Sequence, residues 1–267
     1  MPGIGGGQRY CILHRPPAGA NARGAVLYVH PWCEEMNKSR RMVALQSRAF
    51  AAHGWYVLQI DLLGCGDSSG DFCSASWQAW VDDAAAGARW LRERVKGPLW
   101  LWGLRAGCLV VCDAARLLNT PTSLLFWQPV SSGRTVLQQF LMLRAAGALR
   151  SGGARTLLRD ARVELAAGRA VEVAGYTMSP ALAAGLEAAT LTVPPGTRDC
   201  AILHVLPPTA ATVPSAMLAV AKDWEDAGFV VRQRSVVGPP FWQTTEIEDA
   251  PELIKATKQV LDDLDSL

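Results

Sequence analysis

The stretch LWLWGLRAG at residues 99–107 decides the fold of this chain, because it joins an apolar strand to a helix through a sharp turn. Gly103 and Gly107 stand two residues before and two residues after Arg105. This is the spacing of the G-x-S-x-G turn, which presents its central residue at the top of a parallel sheet. Glycine suits both positions because the turn leaves little room for a Cβ. The pattern therefore predicts an elbow with Arg105 at its apex.

Short apolar runs alternate with helical patterns on both sides of this elbow. The predicted strands are Ala25–His30, Trp55–Leu62, Pro98–Gly103, Ser123–Trp127, Cys200–Leu206 and Phe229–Val237, and the predicted helices are Val43–His53, Ser76–Val95, Ala106–Leu118, Pro214–Gly228 and one from Ala250. Runs that are apolar throughout indicate parallel strands with helices on both faces. We therefore expect an α/β fold with a mostly parallel central sheet.

The alternation stops between residues 131 and 197, which are rich in Ala, Leu and Arg and contain no strong buried strand. It resumes with the strand from Cys200. We therefore predict one domain, residues 1–267, with a helical cap or lid inserted at 131–197. Such an insertion would cover the carboxyl ends of the strands, where open α/β sheets bind their ligands.

Composition excludes several classes of protein. Half of the 267 residues are hydrophobic and 19% are charged, which is typical of a globular core rather than a disordered chain. The 26 basic and 24 acidic residues nearly cancel, so we expect no nucleic-acid partner. No apolar run approaches the ~20 residues of a membrane span. Seven scattered cysteines without a C-x-x-C pair indicate a reduced, cytoplasmic protein, and we expect neither a metal nor a cofactor.

Further motifs carry a resemblance to a known superfamily. The first strand ends in His30-Pro31, and the second is followed by D-x-x-G-x-G-x-S-x-G at residues 61–70. Together with the elbow, these motifs resemble those of the α/β-hydrolase superfamily over nearly the whole chain. The strings HPWCEEMNKSRRM (30–42), DLLGCGDSSGDF (61–72), LWGLRAG (101–107) and GPPFWQ (238–243) are more closely similar to the exosortase A system-associated hydrolases of the second type. That group accompanies bacterial exopolysaccharide and PEP-CTERM sorting loci.

The resemblance implies a Ser-His-Asp triad, and this sequence departs from it at all three places. Arg105 stands where the nucleophile is expected, and a guanidinium is always protonated, so it is neither nucleophile nor base. The acid is expected near Ala211 or Thr212, and neither residue is acidic. The histidine is expected within residues 238–243, yet no histidine follows His204.

Arg105 has two interpretations. As an anion anchor, its guanidinium would bind a carboxylate or phosphate through two parallel hydrogen bonds. Alternatively, it forms an internal ion pair with Glu34, Glu35 or Asp67 from neighbouring loops. Both roles are compatible with an elbow that directs the side chain toward a pocket. Glu34 and Glu35 also fit the start of a helix, whose positive end favours carboxylates.

A tentative catalytic set consists of His30, Glu35 and Cys65. His30 could act as a general base, although the corresponding histidine of the superfamily usually supports a loop. Cys65 and Cys33 both follow strands, and a thiolate at either place would be a nucleophile if a nearby cation lowered its pKa. Ordinary buried thiols are the alternative.

Three tryptophans fall at the predicted carboxyl ends of strands, namely Trp32, Trp127 and Trp242. Gln128 and Gln243 lie beside two of them. Such residues would make an aromatic-walled pocket with amide groups for orientation, suited to sugar rings or lipid tails. The alternative is that these tryptophans belong to the core above the sheet.

Two functions remain open at this point. The first is a protein that binds an anionic or amphipathic small molecule in exopolysaccharide- or PEP-CTERM-linked metabolism, with Arg105 as the anchor. The second is a hydrolase or acyl transferase that acts on ester or thioester bonds with a non-standard catalytic set. A homodimer, or a pair with a related hydrolase, stays open as well.

Overall fold

The computed structural model describes residues 1–145, 154–209 and 212–265. Its strands are β1 (Cys11–His14), β2 (Gly24–Val29), β3 (Trp55–Ile60), β4 (Leu99–Leu104), β5 (Thr122–Trp127), β6 (Val171–Val173), β7 (Tyr176–Met178), β8 (Thr197–Leu206) and β9 (Val230–Val237). Seven of these described strands form one sheet in the order β1-β3-β2-β4-β5-β8-β9. Strand β1 runs antiparallel to β3 and the other neighbours are parallel. The predicted fold class, a mostly parallel sheet between helices, is therefore confirmed.

The helices are α1 (Glu34–Ala52), α2 (Trp77–Arg92), α3 (Gly107–Arg116), α4 (Gly133–Ala145), α5 (Ala154–Ala166), α6 (Pro180–Ala188), α7 (Ser215–Asp226) and α8 (Pro251–Asp265). Strands β2, β4 and β5 are buried along their whole length, because hydrophobic clusters cover both faces of the sheet. One cluster contains residues of α2, α3 and the segment between β5 and β8. The other contains residues of α1 and α8.

Helix α1 differs from the prediction, since it begins at Glu34 and not at Val43. Its first nine residues, EEMNKSRRM, are mostly polar, so the apolar period is hard to see in the sequence. Met36, Ser39 and Met42 are nevertheless buried, and the Ser39 hydroxyl is satisfied by donating to the Glu35 carbonyl oxygen. The earlier start places the two acidic residues of this helix in its first turn, at the edge of the sheet where β2 ends.

The segment between β5 and β8 contains α4, α5, the β6–β7 hairpin and α6. Residues 146–153 of the predicted cap lie outside the described residues. The hairpin was not predicted; its two-residue turn places Ala174 and Gly175 at φ values of 50° and 85°, as a primed hairpin turn requires. In the described part of the chain, no helix is both long and apolar enough to span a membrane.

Candidate functional site

The elbow between β4 and α3 has the backbone that the glycine spacing predicts. Arg105 lies in the left-handed region, with φ of 54°. A Cβ added at Gly103 would lie 2.6 Å from the Cα of Cys108, and one added at Gly107 would lie 2.5 Å from the Val29 carbonyl oxygen. Both contacts are with backbone atoms, so side chains are excluded at both positions. The elbow therefore holds Arg105 at the carboxyl edge of the sheet.

The Arg105 guanidinium is held between a carboxylate and an indole. Its Nε donates to Glu35 Oε1 at 3.2 Å, and its Cζ lies 5.8 Å from the centre of the Trp242 ring. Of the three carboxylates that the sequence offered, Glu35 is the one that forms the ion pair. The side chains of Arg105 and Glu35 remain 18% and 24% exposed. The pair is therefore partly shielded from water but still accessible.

Burial raises the pKa of Glu35, and the nearby Arg105 guanidinium opposes this effect by favouring the charged carboxylate. The rise in pKa means that desolvation outweighs the ion pair. Glu35 therefore takes up a proton more readily than an exposed glutamate does.

A cavity of about 430 Å³ lies beside this ion pair, within the range of small-molecule sites. It is lined by Trp32, Cys33, Glu34, Glu35, Lys38, Arg105, Val136, Gln139, Phe140, Leu143, Ala174, Tyr176, Trp242 and Gln243. The charged residues come from α1 and the elbow, whereas α4 contributes mainly apolar ones. Six of the predicted site residues therefore meet in one cavity: Trp32, Glu34, Glu35, Arg105, Trp242 and Gln243.

His30 does not line the cavity, and its hydrogen bonds give it a structural role. Its Nδ1 lies 2.8 Å from the Pro31 carbonyl oxygen, which only accepts, so Nδ1 carries the proton. The Leu62 backbone N–H donates to Nε2 at 3.3 Å. Burial lowers the pKa of His30, which keeps the ring neutral. Because both ring nitrogens are occupied inside the protein, the geometry does not favour the predicted role as general base.

The two candidate thiols are not activated. Cys65, which the sequence analysis placed in the catalytic set, lies outside the residues that line the cavity. Cys33 does line the cavity, with a strained backbone at φ 45° and ψ −122°. Burial raises the pKa of both thiols, and at Cys33 the neighbouring Cys65, Glu34 and Glu35 raise it further. A thiolate is therefore disfavoured at both positions.

Trp127 and Gln128 do not line the cavity, in contrast to the prediction. The Trp127 side chain is fully buried in the cluster on the α1 and α8 face, and its Nε1 donates to Thr257 Oγ1 at 3.0 Å. The Gln128 side chain accepts a hydrogen bond from the Val205 backbone N–H at 2.8 Å, which joins the ends of β5 and β8. Side chains alternate across a strand, so Trp127 points away from the cavity side of the sheet.

Asp67 is also placed differently, since it is exposed and lies outside the cavity lining. Its backbone N–H donates to Asp61 Oδ2 at 3.2 Å, and the same oxygen accepts from Arg40 Nη2 at 3.0 Å. The D-x-x-G-x-G-x-S-x-G segment thus forms a turn held by its own hydrogen bonds, and Asp67 does not pair with Arg105.

Seven residues that line the cavity were not predicted: Lys38, Val136, Gln139, Phe140, Leu143, Ala174 and Tyr176. Six of them lie in the segment between β5 and β8, and Lys38 lies in the part of α1 that the prediction missed. The apolar spacing of Val136, Phe140 and Leu143 was a usable signal for one face of a helix. The hairpin residue Tyr176 had no comparable signal.

Tyr176 connects the inserted segment to the start of α1. Its hydroxyl donates to Glu34 Oε1 at 2.6 Å, across the cavity lining. Burial, followed by this carboxylate, raises the pKa of Tyr176, so the phenol stays protonated and keeps donating. The ring packs edge-on against Phe72 with centroids 5.3 Å apart. The hairpin is thereby held next to the Arg105–Glu35 pair.

Among the described residues, the cavity lining contains no serine, threonine or histidine. After β9, where the superfamily resemblance placed a histidine, Trp242 packs against Arg105. After β8, Thr212 does not line the cavity, and Ala211 lies outside the described residues. The arrangement provides a guanidinium, an ion-paired carboxylate and aromatic walls.

Comparison with known proteins agrees with this fold. The sequence model of the X-Pro dipeptidyl-peptidase (S15) family matches residues 11–136, which is less than half of the chain. No curated protein matches the chain in sequence.

Solved structures match nearly the whole chain at low sequence identity. Est1E from Butyrivibrio proteoclasticus with bound ferulic acid superposes with a TM-score of 0.67 at 13% identity, covering 96% of this chain and 94% of its own. XC6422 from Xanthomonas campestris, described as an a/b serine hydrolase without a lid, gives 0.56 at 16% identity, covering 96% and 89%. A monoacylglycerol lipase from Paleococcus ferrophilus gives 0.56 at 15% identity, covering 97% and 99%. The chain therefore has the α/β-hydrolase fold.

Proposed function

We propose that this chain is a binding protein built on the α/β-hydrolase fold, and that it holds an anionic, amphipathic small molecule over Arg105. One observation carries this proposal. The elbow, which presents the nucleophile in serine hydrolases, here presents a guanidinium to an aromatic-walled cavity. Fold alone does not establish chemistry, so the proposal depends on the site and not on the hydrolase neighbours.

The guanidinium has hydrogen-bonding capacity to spare. Its bond to Glu35 uses Nε, and within the described residues no carboxylate other than Glu35 forms an ion pair with Arg105. The two terminal nitrogens are therefore available to a ligand carboxylate. Lys38 adds a second cation to the lining, where its Nζ donates to the Gln243 carbonyl oxygen at 3.4 Å.

Glu35 would repel a ligand carboxylate if it stayed charged. The raised pKa of Glu35 favours its protonation when the ligand binds. Protonation removes the like charge and leaves the Arg105 guanidinium to pair with the ligand carboxylate. Binding would then take up a proton.

A second candidate function is acyl transfer through a thiol. The observation in its favour is Cys33, which lines the cavity in a strained backbone conformation, as residues at reactive sites often do. Against it, the Cys33 pKa is raised and no described histidine lines the cavity. Two results would favour the first function: the protein does not hydrolyse generic esters and thioesters, and Cys33→Ala binds ligand as the parent does.

We propose that the protein acts in exopolysaccharide- or PEP-CTERM-linked metabolism of a bacterium. The resemblance of residues 30–42, 61–72, 101–107 and 238–243 to exosortase-associated hydrolases supports this setting. All seven cysteines are free, which fits the cytoplasm.

The test compares carboxylates with their uncharged amides by titration calorimetry. Octanoate and benzoate should bind at least tenfold more tightly than octanamide and benzamide, and Arg105→Met should abolish that difference. Arg162→Met is the matched control, because Arg162 also forms an ion pair with a glutamate, at 3.0 Å, but outside the cavity. Equal binding of acid and amide, or unchanged binding by Arg105→Met, would contradict the proposal.

A further inference from the structure

The cavity is divided into a charged part and an apolar part. Glu35 and Arg105 lie on the α1 and elbow side. From the segment between β5 and β8, Val136, Phe140 and Leu143 of α4 line the same cavity; they are spaced i, i+4 and i+7, so they form one stripe along the helix. A cavity with charged and apolar lining residues favours a ligand that has one charged group and one apolar part.

The apolar stripe runs from the protein interior to the surface. Val136 and Phe140 are buried, whereas the Leu143 side chain is 55% exposed although it lines the cavity. Seven helical residues span about 10 Å, which matches an extended chain of roughly eight carbon atoms. The stripe is therefore long enough for an aliphatic tail and open at its outer end.

We propose that the ligand is a linear fatty carboxylate of roughly eight or more carbons, a length set by the helical rise along α4; this inference rests on the proposed function. The carboxylate binds the terminal nitrogens of Arg105. The chain lies along Val136 and Phe140 and leaves the cavity past Leu143.

A sugar acid fits the stripe less well. Its hydroxyl groups would lie against three side chains that neither donate nor accept hydrogen bonds, and a buried polar group without a partner is costly. Among the described residues of α4 that line the cavity, Gln139 is the one with a polar side chain that could bind a sugar hydroxyl. An aliphatic chain gives up no hydrogen bonds on this stripe, and its transfer out of water is favourable.

The test is the dependence of affinity on chain length, measured by titration calorimetry of the full chain with butyrate, hexanoate, octanoate and dodecanoate below their micellar concentrations. Burying one methylene is worth about 0.8 kcal/mol, so affinity should rise about fourfold per carbon. The rise should flatten for carbons that pass Leu143 and remain in water.

Two variants locate the tail. Leu143→Ser should weaken octanoate and dodecanoate binding severalfold and leave butyrate binding unchanged. Met142→Ser is the matched control, because Met142 is the preceding residue of the same helix, is 47% exposed and does not line the cavity. It should leave all four affinities unchanged. Both side chains are about half exposed, so neither substitution opens the core.

The outcomes separate this inference from the proposed function. Binding that depends on Arg105 but not on chain length, or glucuronate bound as tightly as octanoate, overturns the fatty-carboxylate inference and leaves anion binding standing. An equal loss in Leu143→Ser and Met142→Ser also overturns the path along α4. If none of the carboxylates binds, the proposed function fails and the inference falls with it.

Discussion

Arg105 Nε donates to Glu35 Oε1 at 3.2 Å, and this bond joins the apex of the elbow to the first turn of α1. In a serine hydrolase the apex residue is instead hydrogen-bonded to a general base. Here the apex residue is a guanidinium, which is always protonated and cannot attack an acyl group. Because both side chains keep part of their surface in water, a ligand carboxylate can reach the guanidinium without opening the core.

Arg105→Met should destabilise the protein more at pH 8 than at pH 5. The folded-state pKa of Glu35 is already raised by burial, and loss of the guanidinium raises it further. The contribution of Glu35 to stability is therefore fully present below its unfolded pKa and is lost as the pH rises through the folded pKa. We expect a loss of about 1–3 kcal/mol at pH 8, smaller than for a fully buried pair, measured by urea unfolding.

The double variant Arg105→Met/Glu35→Gln is the control for this effect. An amide does not titrate, so the loss caused by Arg105→Met, measured against Glu35→Gln alone, should be the same at pH 8 and pH 5. An Arg105→Met loss that is the same at both pH values would show that Glu35 does not titrate as described.

The protein should not react with a fluorophosphonate probe or hydrolyse p-nitrophenyl esters at the rate of a serine esterase. The described lining of the cavity offers neither a serine nor an imidazole. Arg105→Ser should remain inactive, since a serine at the apex still lacks a base. Mass spectrometry after probe treatment is the measurement, and a labelled serine in the parent would contradict the proposed function.

His30→Ala should lower the free energy of unfolding by about 2–4 kcal/mol, because it leaves a cavity and removes the acceptor of the Leu62 N–H. Binding of octanoate to the folded variant should be unchanged. His53→Ala is the control, as His53 is exposed at the end of α1 and should cost much less. A normally stable His30→Ala that no longer binds would restore His30 as a functional residue.

Ligand binding should change the fluorescence of Trp242 and leave that of Trp127 unaffected. Trp242 lines the cavity and packs against Arg105, whereas Trp127, which belongs to the same buried cluster, is fully buried and does not line the cavity. Titration with octanoate should therefore give a weaker signal change in Trp242→Phe than in the parent. Trp127→Phe should retain the full change, and the reverse pattern would place the ligand outside this cavity.

The order of strands and helices was predictable because each signal is local. Apolar runs, helical periods and the glycines at 103 and 107 all lie within a few residues of the structure they specify. The same holds for the choice of Arg105 as the central residue, since the elbow dictates where its side chain points. The start of α1 was missed because its buried positions include Ser39, which a hydrophobic pattern does not reveal.

The sequence by itself determined the α/β fold, the elbow and the residue at its apex, because short-range sterics and periodicity are enough for these. Only the tertiary structure decided which carboxylate meets Arg105, which tryptophans face the cavity and which residues of α4 and the hairpin complete it. Glu35 and Arg105 are 70 positions apart, and Tyr176 lies farther still along the chain. Contacts over such separations depend on strand order and on the face that each side chain takes, and no local pattern carries that information.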